Sequence, residues 1–117
     1  MNKSFLAVQR IGPYTQGEKP EPLVLSIKDA SGAAIDLTGF SAKFQIEAVD
    51  GAVAGLGAGT ASLPSPATGI TQYAWAAADL ATAGLYRGQM WVGNGSRRYA
   101  SELFEWFVRD ATDAPAV

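Results

Sequence analysis

The sequence predicts an all-β fold, an antiparallel β-sandwich of about seven short strands with one short helical turn near residues 77–84. Three observations predict it. Residues 40–48 (FSAKFQIEA) alternate apolar and polar side chains without a break, the period of a strand with one wet face. Turn-forming clusters recur between short apolar runs: DASG at 29–32, PSPATG at 64–69 and GNGS at 93–96. At 77–84 the apolar positions do not extend at helical spacing, so no longer helix is expected there.

Taken in order, residues 4–11 (SFLAVQRI) read as a first strand, with Leu6 and Val8 alternating against Gln9 and Arg10. Pro13, Pro20 and Pro22 follow closely. Proline donates no ladder hydrogen bond, so residues 12–22 are expected at a sheet edge or crossing between sheets. In 22–28 (PLVLSIK) Leu23, Leu25 and Ile27 share one face. Asp29 and Gly32 make a turn, and Ile35 and Leu37 lead to a second at Thr38–Gly39. Phe40, Ala42, Phe44 and Ile46 then face inward, while Ser41, Lys43, Gln45 and Glu47 face water.

The Gly/Ala-rich residues 49–61 are expected to form a hairpin or a mobile connection of low stability. Its Gly55, Gly57 and Gly59 lack the strand–turn–helix setting of a nucleotide loop. A short strand near 60–63 ends at the 64–69 turn, and 70–76 place Thr71, Tyr73 and Trp75 on one face. In AADLATAG, residues 77–84, Asp79 can accept from backbone N–H groups and Gly84 can supply a left-handed exit. In 85–92 Tyr86, Met90 and Val92 face the core with Gly88 between them, and Asn94-Gly95 marks a tight hairpin. Residues 97–109 read as one long, bent strand with Phe104, Trp106 and Val108 opposite Leu103, Glu105, Phe107 and Arg109. The whole chain, 1–117, is expected to be one domain, its core spanning about residues 4–110 and its tail (111–117) frayed.

Composition narrows the function. The chain of 117 residues is 48% apolar and 17% charged, a low charge that hints at apolar surface covered by a partner. Its net charge of −2 argues against nucleic-acid binding, which needs a concentrated basic face. Arg97–Arg98, the only adjacent basic pair, reads as a solvated strand end. Cysteine and histidine are both absent, which excludes disulfides, Ser-His-Asp and Cys-His systems and His-based zinc sites. Glu102 and Glu105 are three apart on a strand and point to opposite faces. Asp29, Asp36 and Asp50 fall in or beside turns and lack the dense oxygen-ligand spacing of a calcium loop. No enzyme activity, metal or cofactor is expected. The run Phe5–Val8 is too short for a signal peptide or a membrane span.

The aromatics Phe44, Tyr73, Trp75, Tyr86 and Trp106 fall on predicted inner faces. Trp91 does not. Its parity groups it with Leu85, Arg87 and Gln89 on an outer face, and Leu103 and Phe107 fall on the outer face of the last strand. Trp91, Leu103, Phe107 and Leu85 are therefore the candidate partner-binding residues, since an apolar patch of this kind rarely stays bare. Cover by residues 12–22 is the alternative. A sugar platform of Trp91 with Arg87 and Gln89 is a third reading.

The run PLVLSIKDASGAAIDLTGFSAKFQI, residues 22–46, resembles the N-terminal immunoglobulin-like domain of phage baseplate upper proteins. In that family an apolar strand precedes a D-x-x-G turn, a D-L-T-G turn and an alternating strand. Gly69, Tyr73, Trp75, Asp79, Ala83, Gly84 and Tyr86 follow its G-x-x-x-Y-x-W-x-x-x-D-x-x-x-A-G-x-Y pattern. The resemblance covers roughly residues 20–110 and implies an immunoglobulin-like β-sandwich.

It also implies a non-enzymatic virion structural protein, made in the host cytoplasm. Such a protein serves as an adaptor or accessory subunit of a baseplate, tail or fibre, with other virion proteins or further copies of itself as partners. Related modules decorate capsids. The matched residues are structural and carry no binding site over. Members of the family continue into larger proteins, whereas this chain stops almost where the domain does. It is therefore expected to act as a free-standing or accessory subunit, with residues 12–22 and 49–61 as candidate docking segments. A carbohydrate-binding or host-adhesion module is the alternative from a different class.

Overall fold

Residues 8–111 are described by a computed structural model. The alternating runs become strands β1 (Val8–Arg10), β2 (Tyr14–Thr15), β3 (Leu23–Ser26), β4 (Ser41–Ala48), β5 (Thr60–Ser65), β6 (Ile70–Ala74), β7 (Gly84–Gly93), β8 (Arg98–Ala100) and β9 (Leu103–Arg109). They form two sheets. The smaller has the order β3-β6-β5; the larger runs β1-β9-β7-β4, with β2 also on β9 and β8 also on β7. The fold is thus mostly β, as expected, but not wholly antiparallel.

The departure lies at the start of the chain. Strands β1 and β2 both run parallel to β9, so the larger sheet is mixed. Pro13 lies between these two short pairings, where no ladder bond is asked of it. The edge position expected for the proline-rich segment is what the chain adopts. Val8, Gln9 and Arg10 are all exposed, without the alternation expected of them; Leu6 lies outside the described residues, as does the tail from 112 onward.

Two 3-10 turns, Pro66–Thr68 and Ala77–Leu80, complete the regular structure. The second is the expected helical turn, but it stops at Leu80. Gly84 does not supply its exit; it opens β7. Gly69 supplies the left-handed exit of the first turn, at φ 73°.

The core fills the space between the sheets. Leu25, Ile27, Leu37, Phe44, Tyr73, Leu80, Tyr86, Met90, Val92, Phe104, Trp106 and Val108 are buried, each worth about 1.5–3 kcal/mol for the large side chains. Phe44 of β4 meets Tyr73 of β6 across the gap, ring centroids 4.6 Å apart, and Trp75 meets Trp106 edge-on at 5.2 Å. Gly88 makes this possible. A Cβ there would stand 2.6 Å from the Phe44 ring and 2.8 Å from that of Trp106.

Residues 97–109, expected as one long strand, instead form two, β8 and β9, both paired with β7 and offset by a bulge at Ser101–Glu102. Gly88 pairs with Phe104 and Trp91 with Ala100, so Gln89 and Met90 oppose Ser101, Glu102 and Leu103. One extra residue reverses the facing along the strand. Tyr99 therefore packs inward on Phe40 at 5.9 Å, although Phe104, Trp106 and Val108, of opposite parity, also point inward. Ser101 repairs the interrupted ladder: its hydroxyl oxygen accepts from Met90 N–H at 3.0 Å, and its own N–H donates to Met90 O at 2.9 Å.

Candidate functional site

Cross-strand register arranges the outer face of the larger sheet in rows. At one end Phe107 of β9 stands opposite Leu85 of β7, and Val49 donates its N–H to Leu85 O at 2.8 Å. The next row is charged. Arg10, Glu105, Arg87 and Glu47 stand side by side across β1, β9, β7 and β4. Leu103 beside Val8 comes next. At the far end Trp91 lies between Lys43 of β4 and Ala100 of β8.

The four sequence-predicted partner residues are therefore not one patch. Leu85 and Phe107 are brought together, with Phe107 48% exposed. Leu103 is half-buried on the other side of the charged row. Trp91, 38% exposed, is six residues along the strand from Leu85, about 20 Å away. Parity assigns a side chain to a face but not to a place along it. Residues 12–22 do not cover Trp91, because β2 runs beside Val108 and Arg109 at the opposite end.

The dividing row is held by Glu105, which is buried rather than wet. Its carboxylate accepts from Arg10 Nη2 at 3.3 Å and from Arg87 Nε at 3.2 Å. Gln89 is engaged as well, donating to Ser101 O at 2.8 Å. Both polar neighbours of the sugar-platform reading thus have partners within the fold.

Trp91 borders an open groove of about 950 Å³. Ser41 and Lys43 line it from β4, Gly93 from β7, and Arg97 and Arg98 from the hairpin. That hairpin is tied by Asn94, whose Oδ1 accepts from Ser96 N–H at 3.0 Å and Arg97 N–H at 2.8 Å. Sequence reasoning placed Arg97–Arg98 at a strand end and Lys43 on a wet face. It missed that all three surround Trp91, because strand pairing brings Lys43 from about fifty positions away and the hairpin folds Arg97 and Arg98 back beside it.

A second polar centre lies inside the domain. Asp79 is fully buried, and its carboxylate accepts from Tyr73 Oη at 2.5 Å, Ala76 N–H at 2.9 Å and Gly57 N–H at 2.8 Å. Gly59 N–H donates to Tyr73 Oη at 2.9 Å. The Gly/Ala loop, expected to be mobile, is therefore fastened at two points, with Val53 and Leu56 packed on the core. Its glycines serve close approach: a Cβ at Gly59 would stand 1.9 Å from Ala74 O. Burial, and then the bond to Asp79, push the Tyr73 phenol well above its ordinary range. This is a structural knot with no opening to a substrate.

The turn aspartates act as expected. Asp29 Oδ1 accepts from the Ser31 hydroxyl at 2.6 Å and from the N–H groups of Ser31 and Ala33; Asp36 Oδ1 does the same for Thr38. These bonds hold both carboxyls below the usual range, the hydroxyl contributing most in each. Among the described residues no three acidic side chains gather as a metal-holding group. Neither a scan against protein-family models nor a search of curated proteins finds a match to the chain.

Proposed function

We propose that this chain is a non-enzymatic structural subunit of a phage or prophage virion, an immunoglobulin-like sandwich that works by docking onto other virion proteins. One observation carries the docking. Of the five exposed large apolar side chains among the described residues, Val8, Trp91 and Phe107 belong to the outer face of the larger sheet, Val49 follows the end of β4 with its N–H on Leu85 O, and Val24 lies on the smaller sheet. This face thus carries apolar clusters on both sides of the charged row, and exposed apolar clusters mark interaction surfaces.

The immunoglobulin-like assignment is supported by strand order and by a corner. Sheets β3-β6-β5 and β4-β7-β9 correspond to the B-E-D and C-F-G sheets of that architecture. Tyr86, near the start of β7, donates its hydroxyl to Thr82 O at 2.5 Å, as a tyrosine does at the E–F corner of such sandwiches. Two residues later, where antibody domains place a cysteine, this chain has Gly88 with the Phe44 and Trp106 rings over it.

Tyr73 donates to Asp79 and Tyr86 separately closes on Thr82 O, and all three residues are positions of the baseplate pattern. The sequence pattern at these positions is what supports the virion setting. Engagement of Arg87 and Gln89 within the sheet favours docking over glycan binding.

The test is mass spectrometry of particles purified after induction of the genome carrying this gene. The chain is expected in intact particles. Its confinement to the soluble lysate would overturn the reading. Cross-linking on the same particles separates a tail or baseplate adaptor from a capsid decoration protein.

A further inference from the structure

Resting on that docking role, the geometry points to an acidic polypeptide segment of a neighbouring protein as the occupant of the Trp91 groove, its carboxylates held by Lys43, Arg97 and Arg98. The chain has 9 basic and 11 acidic residues. Three of the basic side chains line this groove, and none of the described acidic ones does. The two ion pairs among the described residues are both made by Glu105, so no described carboxylate is paired with Lys43, Arg97 or Arg98. A local positive site on a net negative chain selects an anionic segment and repels most other surfaces.

The site is built rather than incidental. Lys43 is the cross-strand partner of Trp91, and Arg98 that of Gly93. Alternation therefore sets Trp91, Gly93, Lys43 and Arg98 on one face. Gly93 contributes no side chain, which leaves a notch between Ser41 and Arg98. The nearest atom to a Cβ there would be Arg97 O at 3.4 Å. Trp91 offers an apolar wall for a side chain of the segment, and the Asn94-tied hairpin presents both arginines. Three cations are too few to hold a nucleic-acid backbone on a negative protein.

The test titrates the whole chain, followed by NMR at the Trp91 indole and Gly93 amide. The probes are a peptide of about ten residues alternating Glu and Gly, its Gln counterpart, and an oligogalacturonate of similar charge. The Glu peptide is expected to shift both signals, and to bind about tenfold more weakly when salt rises from about 0.05 to about 0.5 M. Lys43→Glu with Arg98→Glu should weaken it by a further tenfold or so. Gly93→Val should do the same by filling the notch. Gly93 is not among the positive-φ glycines, so the added side chain is expected to leave Tm unchanged.

Absence of the shifts, indifference to both variants, or equal binding of the Gln peptide or the galacturonate would overturn the assignment. Particle composition separates the two readings. Wild-type chain missing from particles sinks the subunit role itself; wild type and both variants incorporating equally sinks the groove alone.

Discussion

Replacing Asp79 with alanine removes the acceptor on which β6, the Ala77–Leu80 turn and the Gly/Ala loop converge. Three donors lose their partner: the Tyr73 hydroxyl and the N–H groups of Ala76 and Gly57. A buried donor left unsatisfied costs about 1–3 kcal/mol. Tyr73 is fully buried and belongs near the middle of that range, while the two part-buried amides belong at its lower end. Removing the carboxylate also returns part of its own desolvation cost. The expected net loss is about 3 kcal/mol, a large share of the roughly 5–15 kcal/mol that holds a domain folded. For a chain of this length that lowers Tm by about 12 °C.

Asp79→Asn keeps the shape and one acceptor but turns an amide N–H toward a donor, so about half that loss is expected. Urea unfolding gives the energy, and hydrogen exchange gives the location. The Gly57 amide, bonded to Asp79 itself, should lose more protection than the Gly59 amide, bonded to Tyr73. An Asp79→Ala protein within about 0.5 kcal/mol of wild type, or one whose Gly57 and Gly59 amides exchange alike, would refute the knot.

Gly88→Ala should cost about 2–3 kcal/mol by overpacking and perturb the near-UV signal of the tryptophans, because the new methyl falls within 2.6 Å of the Phe44 ring and 2.8 Å of Trp106; an unchanged urea midpoint would contradict the packing described. Ser101→Ala should cost about 1–2 kcal/mol, since Met90 N–H loses its acceptor at the bulge, with the exchange of that amide as the check. Stability should also fall in alkali. Burial raises the phenols of Tyr73, Tyr86 and Tyr14 above their ordinary value, with Asp79 and Glu18 adding to the first and last. The folded state therefore holds protons that the unfolded chain releases. This stability is complete below about pH 10 and is lost as pH climbs from there through the higher folded values, at up to about 1.4 kcal/mol per unit for each fully buried tyrosine. Urea midpoints flat from about pH 9 to 11, or unaltered in slope by Tyr73→Phe, would contradict it.

Local rules made the strands legible, and non-local pairing decided the site. The alternation over 40–48 and the turn chemistry of Asp29, Asp36 and Asn94 act within a few residues, so the sequence alone determined β4, its inward face, these turns and the inward-facing aromatics Phe44, Tyr73, Tyr86 and Trp106. The absence of cysteine and histidine likewise left this sequence without disulfides or Cys- or His-based sites. Register was not legible. It is set by which strands meet, and only the folded sheets placed Lys43 and Arg98 beside Trp91 or set Arg10 and Arg87 on Glu105 between Trp91 and Phe107. The bulge at Ser101 was hidden because one extra residue changes facing without changing composition. Glycine-rich sequence reads as slack, yet Gly57 and Gly59 are glycines because buried groups approach their backbone closely. Burial and long-range contact are properties of the packed chain, and no window of sequence contains both partners.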